Sequence, residues 1–161
     1  MIRTVGKQDA KSIARIYNHY VKYSIVTFDE YEISADEIEK RIEHWDKKYP
    51  WFVLEHDGEV VGYAYGSEWK KKSAYRSSVE TTVYLVHNVI GKGLGHQLYS
   101  ALISELKEMG FRMLIGCISL PNPESIRLHE KLGFEKKGQL DQMGFKLDRW
   151  IDVGYWQLKV N

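Results

Sequence analysis

A short glycine-rich stretch is the part of the sequence best suited to holding an anionic ligand. It runs from Gly91 to Gly95, between a candidate strand and a candidate helix. Closely spaced glycines let backbone N–H groups converge, and the start of a helix carries partial positive charge that favours phosphate. The spacing matches neither a P-loop, which needs Ser or Thr where Gly93 stands, nor the dinucleotide fingerprint, which needs glycine where His96 stands. The pattern therefore leaves two interpretations open, a phosphate site and a tight turn.

The remaining reactive side chains show no motif of their own. His19, His44, His56 and His87 have no spacing that would build a metal site, so we expect no metal. Cys117 is the only cysteine and lies in an apolar segment, which predicts a small core residue and not a nucleophile. A single cysteine allows no internal disulfide and gives no sign of an oxidising compartment, so we expect a cytoplasmic protein.

Several elements can be predicted from local patterns. Trp51 to Glu55 and Val60 to Ser67 flank Asp57-Gly58, which predicts an antiparallel hairpin with a tight turn. Ser78 to Val86 is rich in Val, Thr and Tyr and predicts a central strand. Ser34 and Glu37 have the spacing of a capping box at a helix start.

The glycine-rich stretch is followed by a long amphipathic pattern. Apolar residues recur every three or four positions from Leu94 to Met109, which predicts a helix that Gly110 can end. Asp9 is the predicted cap of an earlier helix. Met113 to Ser119 is the next predicted strand. A short helix is predicted after Asn122, with Gly133 at its end.

Two strands are predicted to finish the chain, near Phe134 to Leu140 and near Arg149 to Leu158. Trp150 and Trp156 fall on one face of the last strand, which indicates packing or a dimer contact. Together the elements predict an α/β or α+β fold, with a right-handed strand-helix-strand crossover in its later half.

Composition limits the partners. The chain has 161 residues, with 23 Lys and Arg against 22 Asp and Glu, giving a formal charge of +1. This balance gives no overall field for binding nucleic acid, so we expect none as a partner, and an anionic ligand must be held by a local device. The first twenty residues contain no apolar run suited to a membrane span. We expect a single domain over residues 1–161.

The order of motifs resembles the GNAT superfamily of N-acetyltransferases. The glycine-rich stretch is followed by a helix, a strand, the segment Asn122 to Ser125 and the segment Leu128 to Phe134. The resemblance extends to the phosphinothricin N-acetyltransferase branch, through Val79 to Tyr84, Gly144 to Leu147 and Asp152 to Trp156. It implies the GNAT fold, a single mixed, mostly antiparallel twisted sheet flanked by about four helices.

The resemblance also implies acetyl-CoA as the acetyl donor. The backbone from Leu85 to His87, including Val86, would pair with the pantetheine amides, and Asn122 and Ser125 would contact the same arm. The coenzyme pyrophosphate would lie on the glycine-rich stretch, that is on Gly91, Lys92, Gly93, Leu94, Gly95 and His96. Ile90 stands where the family usually has a polar side chain, so we expect weaker anchoring there.

The resemblance implies two catalytic residues. Acetyl transfer to an amine requires a base, because the amine is mostly protonated at neutral pH. Glu80 matches the family's catalytic glutamate; a solvent-facing strand glutamate is the alternative. His129 stands where many relatives have a tyrosine acting as general acid, and it could donate a proton to the leaving thiolate or only position the substrate. For Asn122 and Ser125 the alternative is a helix-start turn.

The substrate side is expected to involve four residues. Tyr75 and Arg76 match an aromatic-basic pair of some branch members, and Arg can hold a carboxylate with two hydrogen bonds. Lys72 lies where close relatives often have Arg, and Phe28 resembles a wall residue.

These residues predict direct transfer of an acetyl group to the α-amino group of a small amino acid analogue such as phosphinothricin or methionine sulfoximine. The family resemblance further suggests a homodimer. The alternatives are acetylation of another amine, such as a polyamine, an aminoglycoside or a protein N-terminus, and a coenzyme-binding module without catalysis.

Overall fold

The computed structural model describes residues 1–89 and 92–161. In these ranges the chain forms seven strands and four α-helices, in the order β1 (Ile2–Thr4), α1 (Ala10–Tyr23), α2 (Ala35–Glu43), β2 (Trp51–His56), β3 (Glu59–Glu68), β4 (Ser78–Leu85), α3 (Leu94–Glu108), β5 (Met113–Leu120), α4 (Pro123–Lys131), β6 (Glu135–Lys146) and β7 (Arg149–Lys159). Within the described ranges, no helix is both long and apolar enough to cross a membrane.

All seven strands belong to one sheet, in the order β1-β2-β3-β4-β5-β7-β6. Every neighbouring pair is antiparallel except β4 and β5, which are parallel and joined through α3. The predicted mixed, mostly antiparallel sheet with about four helices is therefore confirmed, as is the strand-helix-strand crossover. The one parallel pair lies near the middle of the sheet, beside the glycine-rich stretch.

A hydrophobic core covers each face of the sheet. On one face the helix α3 packs against β2, β3 and β4, and its buried residues include Leu98, Leu102 and Leu106. On the other face α1 and α2 pack against β2 and β3, with Ile13 and Ile38 among the buried side chains. Burial of these apolar stripes fixes the helices, and through them the loops that surround the middle of the sheet.

Local sequence patterns account for two of the turns and caps. Asp57 and Gly58 have φ angles of 53° and 80°, the left-handed conformations that a tight hairpin turn requires. The Ser34 hydroxyl oxygen accepts a hydrogen bond from the Glu37 N–H at 3.2 Å, and the Glu37 carboxylate accepts one from the Ser34 N–H at 2.9 Å. The predicted hairpin and capping box are therefore confirmed.

Three local predictions were wrong. Asp9 does not cap α1 with its side chain; its carboxylate instead accepts from the Gly6 N–H and forms a two-bond ion pair with Arg3, all at 2.8 Å. β6 continues to Lys146 instead of ending near Leu140. The bulges of β6 were not recognised either. The following turn was missed because it places two residues that are not glycine, Leu147 and Asp148, at φ angles of 51° and 58°.

The third wrong prediction is that Trp150 and Trp156 share one face of the last strand. Trp156 is buried in the core, whereas Trp150 is exposed. The buried residues of β7 are Ile151, Gly154 and Trp156, so the alternation of buried and exposed positions shifts by one residue between Ile151 and Gly154. The two tryptophans therefore do not share an environment, and only Trp150 is available for contact with another molecule.

Candidate active site

The sheet opens into a fork at its only parallel pair in the described ranges. β4 and β5 pair over Ser78–Glu80 and Met113–Ile115, and no further pairing is found beyond Glu80. β5 continues alongside β7 to Leu120, while β4 continues alongside β3 to Leu85. The backbone of β4 beyond Glu80 is therefore left without a strand on one side, an edge to which an extended ligand can bind.

Two adjoining cavities occupy this fork. One has a volume of about 320 Å³ and the other about 290 Å³. They have five lining residues in common, Val26, Val83, Tyr84, Asn122 and Ser125. We call the first the coenzyme cavity, because it is lined by glycines of the predicted phosphate site, and the second the amine cavity, because Glu80 lines it.

The coenzyme cavity ends at the start of α3. Gly93 caps this helix in a left-handed conformation with φ of 76°, and Gly93, Gly95 and His96 line the cavity. A side chain at Gly95 would meet Leu85 at 2.9 Å, so glycine permits the close approach of α3 to β4. The first backbone N–H groups of a helix have no intrahelical partner, so the site can accept phosphate.

The other residues of the glycine-rich stretch are placed differently. Lys92 is exposed, and the Leu94 side chain is buried in the core, so only its backbone can face a ligand. Ile90 and Gly91 lie outside the described residues, and the predictions made for them stay predictions.

Of the three residues predicted to pair with pantetheine, Leu85 reaches the coenzyme cavity. Its carbonyl accepts a hydrogen bond from the Tyr20 hydroxyl at 2.6 Å. The Val86 N–H donates to the Val61 carbonyl at 2.8 Å. His87 stacks on His19 with ring centroids 4.0 Å apart. The Val86 N–H is therefore paired with β3, whereas the Leu85 carbonyl is held by the hydroxyl of Tyr20 on α1.

The amine cavity combines Glu80 with an apolar wall. Its lining includes Phe28, Thr82 and Cys117. Cys117 is exposed, so its prediction as a core residue was wrong. The residue lies on β5 beyond Ile115, where β4 no longer covers the strand. Desolvation and the nearby Glu80 carboxylate raise the pKa of the thiol to about 12, so it is not a thiolate at neutral pH.

His129 lines the amine cavity together with Glu80, and both of its ring nitrogens contact the protein. Nδ1 is 2.8 Å from the Ser125 carbonyl oxygen, which can only accept, so Nδ1 carries the proton. Nε2 is 3.1 Å from the Tyr99 hydroxyl, which in turn contacts Thr81 Oγ1 at 2.6 Å. His129 is 5% exposed, and burial lowers its pKa, partly opposed by the bond to Ser125. The neutral imidazole thus links α4, α3 and β4.

Asn122 has a local role as well as facing both cavities. Its side-chain oxygen accepts from the Ser125 N–H at 3.2 Å and caps α4. The amide nitrogen of the same side chain is left to donate to a ligand. The helix-start alternative and a binding role are therefore compatible at this residue.

Three of the predicted substrate residues line neither cavity. Lys72, Tyr75 and Arg76 are exposed in the segment that precedes β4. The Arg76 guanidinium donates to the nearby Ser73 carbonyl at 3.2 Å. Of the four residues expected on the substrate side, the structure brings Phe28 together with Glu80.

Sequence reasoning missed two cations of the coenzyme cavity. Arg127 and Lys131 line it from α4, together with Tyr20 and Glu124. The two cations are four residues apart, the spacing that places side chains on one helix face. That spacing on the short helix after Asn122 was the available signal. Both cations can complement the backbone N–H groups in holding phosphate.

Comparison with known proteins agrees with this geometry. Residues 2–154 match the family described as acetyltransferase (GNAT) domain. The phosphinothricin N-acetyltransferase of Streptomyces viridochromogenes is 39% identical over 97% of this chain and 85% of that protein. An L-methionine sulfoximine/L-methionine sulfone acetyltransferase of Salmonella typhimurium is 35% identical over 99% of this chain and 94% of that protein.

A solved structure gives the same result for the fold. A GNAT superfamily phosphinothricin acetyltransferase from Sinorhizobium meliloti, in complex with acetyl-CoA, superposes with a TM-score of 0.95 at 36% identity, covering 100% of this chain and 88% of that one. The resemblance inferred from the glycine-rich stretch and the motifs around it is confirmed. The chain belongs to the GNAT family of acetyltransferases, in its phosphinothricin N-acetyltransferase branch.

Proposed function

We propose that this enzyme transfers the acetyl group of acetyl-CoA directly to the α-amino group of a small amino acid analogue, such as phosphinothricin or methionine sulfoximine. The observation that carries the proposal is the position of Glu80, where β4 and β5 part and beside the coenzyme cavity. The relatives named for phosphinothricin and methionine sulfoximine support this substrate class.

The residues of the coenzyme cavity fit acetyl-CoA. Gly93 and Gly95 leave room at the start of α3, Arg127 and Lys131 supply positive charge, and the free edge of β4 offers backbone groups to an extended arm. When bound there, acetyl-CoA supplies an acetyl group activated as a thioester. The local site explains how a chain with a formal charge of +1 can hold a polyanion.

Glu80 is proposed as the general base. Its carboxylate accepts a proton from the substrate ammonium, directly or through one water, and leaves a neutral amine with a free electron pair. Phe28 forms an apolar wall of the same cavity and excludes water from one side of the amine. Cys117 does not act as a covalent carrier, because its raised pKa keeps the thiol protonated.

His129 is proposed as a positioning residue. Its two nitrogens are engaged by Ser125 and Tyr99, and its lowered pKa keeps it neutral. It holds the first turns of α4, which carry the cavity-lining Asn122 and Ser125, against β4 and α3. Proton donation to the thiolate would require His129 to give up one of these contacts.

Product analysis tests the proposed function. The purified protein is incubated with acetyl-CoA and methionine sulfone, and the product is examined by mass spectrometry and nuclear magnetic resonance. We expect one acetyl group on the α-nitrogen, and no acetylated protein after incubation with acetyl-CoA alone. Acetylated protein that then transfers its acetyl group to the amine would contradict direct transfer.

Replacing Arg127 and Lys131 together by alanine is expected to weaken binding of coenzyme A by about three- to tenfold, because two exposed cations that can meet phosphate are lost. Titration calorimetry measures the effect, which should shrink at high salt. The matched control is Lys47→Ala with Lys48→Ala, which removes two exposed lysines after α2. Equal affinity in both double variants would show that α4 does not hold the phosphates.

We propose that the protein forms a homodimer through an apolar surface on the β6–β7 hairpin. This hairpin surface consists of exposed side chains at the edge of the sheet, Leu140, Met143, Phe145, Leu147 and Trp150. Phe145 and Trp150 pack together with ring centroids 5.1 Å apart. A second copy of the chain is the occupant that the family resemblance suggests, and burial of such a patch favours association.

Trp150→Ser is expected to raise the dimer dissociation constant by about 30-fold or more, because aromatic residues at interface centres contribute most to binding. Analytical ultracentrifugation over a concentration series measures this. Tyr31→Ser is the control, since Tyr31 is 88% exposed and lies outside the hairpin surface. A wild-type protein that sediments as a monomer at all concentrations would contradict the dimer.

A further inference from the structure

A buried lysine connects the β6–β7 hairpin to the wall of the amine cavity. Lys146, the last residue of β6, is 5% exposed. Its Nζ donates to the Thr27 carbonyl at 2.8 Å and to the Tyr20 carbonyl at 3.3 Å. Thr27 and its neighbour Phe28 both line the amine cavity. The lysine thus contacts the backbone of the segment that forms the wall.

The burial of this ammonium has an energetic consequence. Desolvation lowers the pKa of Lys146, while the negative charges of Asp29 and Glu30 oppose that shift. A buried charge is tolerated only where hydrogen bonds or opposite charges compensate it. The segment from Thr27 to Glu30 provides both, so part of the compensation is lost if the segment leaves this position.

The same strand supports the aromatic ring of the wall. A side chain at Gly144 would meet the Phe28 ring at 2.6 Å, so the ring lies directly on the β6 backbone. Gly144 and Lys146 are two residues apart and therefore face the same side of the strand. One face of β6 thus contacts the ring and the backbone of the wall.

Helix α1 also holds the wall. The Tyr17 hydroxyl lies 2.7 Å from Thr27 Oγ1 and also contacts Asp29. The Asn18 side chain exchanges two hydrogen bonds with the Ile33 backbone, at 2.8 and 2.9 Å, a few residues further along the chain. Contacts from both α1 and β6 therefore hold the segment in place.

We propose that Lys146 is a positioning residue for amine recognition: by holding the Thr27 carbonyl it fixes Phe28 against Gly144 and sets the width of the amine cavity. The proposal rests on the proposed function, since it takes this cavity to bind the amine. Lys146 touches neither the amine nor the coenzyme cavity, so its effect passes through the wall.

The test compares Lys146→Met, which keeps the apolar stem and removes the ammonium, with Lys159→Met, which alters an exposed lysine on β7. With methionine sulfone and acetyl-CoA as substrates, Lys146→Met is expected to raise the KM for methionine sulfone about tenfold and to change the KM for acetyl-CoA less than about twofold. Lys146→Arg should recover part of the loss, and Lys159→Met should behave as wild type. An equal rise in both KM values would overturn the proposal.

Gly144→Ala provides a second variant that leaves Lys146 in place. The added methyl group must displace the Phe28 ring, so the same selective rise in the KM for methionine sulfone is expected. A double-mutant cycle of Lys146→Met with Phe28→Ala should be non-additive, because both changes act on one wall. Additive effects would show that Lys146 does not act through Phe28.

Hydrogen exchange separates failure of this proposal from failure of the proposed function, because it needs no activity. In Lys146→Met the amides of residues 24–30 are expected to exchange about tenfold faster than in wild type, whereas in Lys159→Met they should not change. Unchanged exchange in Lys146→Met would overturn the positioning role. A wild-type protein that acetylates no amine would overturn the function and leave the exchange result standing.

Discussion

Glu80→Gln is expected to lower kcat by about 10²- to 10⁴-fold, the range typical of a lost general base. Glutamine has nearly the same shape as glutamate, so the fork between β4 and β5 is retained, but the amide cannot accept the proton of the substrate ammonium. The dissociation constant of coenzyme A should change less than about twofold, since Glu80 lines the amine cavity and not the coenzyme cavity.

The assay is thiol release from acetyl-CoA at saturating methionine sulfone, together with calorimetric titration of coenzyme A. Glu59→Gln is the matched control, because Glu59 is an exposed strand glutamate at the far end of β3. A Glu80→Gln variant with normal kcat and weakened coenzyme binding would contradict the proposal, because it would show that Glu80 acts on the coenzyme and not on the amine.

Acidification is expected to destabilise the protein through His129. In the folded state burial lowers the pKa of this imidazole. Just below its ordinary pKa of about 6.5, the imidazole is therefore protonated in the unfolded chain while it is still neutral in the folded chain. The contribution of His129 to the free energy of unfolding therefore has its full value above about pH 6.5 and falls as the pH decreases below it. From pH 7 to pH 5 the loss assigned to His129 is at most about 2 kcal/mol, the limit that a single proton sets over this range.

Urea unfolding at several pH values, in wild type and in His129→Gln, measures this contribution. The variant loses contacts with Tyr99 and Ser125 and should be less stable at pH 7, but the gap to wild type should narrow as the pH falls. His56→Gln, which alters an exposed histidine beside Asp57, is the control for replacing a histidine by glutamine. A constant gap between wild type and His129→Gln would mean that His129 is not held neutral.

The features that could be predicted correctly from the sequence are those that depend on neighbouring residues. Asp57-Gly58 predicted the hairpin because few other residue pairs adopt the left-handed backbone that its turn requires. The glycines of the predicted phosphate site indicated the start of α3 for the same reason, since Gly93 caps the helix in a left-handed conformation. The order of motifs around the glycine-rich stretch supplied the family, whereas the separation of β4 from β5 beyond Glu80 is seen in the structure.

Features that depend on distant contacts were missed. Cys117 looks like a core residue in its strand and is exposed because β4 and β5 separate beside it. His129 gains its contact with Tyr99 from α3, which is about thirty residues away in the sequence and unrelated to it by any periodicity. Lys146 looks like an ordinary surface lysine, yet it is buried by contacts with residues more than a hundred positions earlier. Such environments are set by tertiary packing and not by local pattern.

The most direct test of the proposed function is thiol release from acetyl-CoA across one panel of amines at equal concentration. The panel contains phosphinothricin, methionine sulfoximine, methionine sulfone, unmodified amino acids, spermidine and an aminoglycoside. We expect release with the amino acid analogues, abolished in Glu80→Gln, and little release with the polyamine or the aminoglycoside. Release with spermidine or the aminoglycoside alone would contradict the assignment to small amino acids.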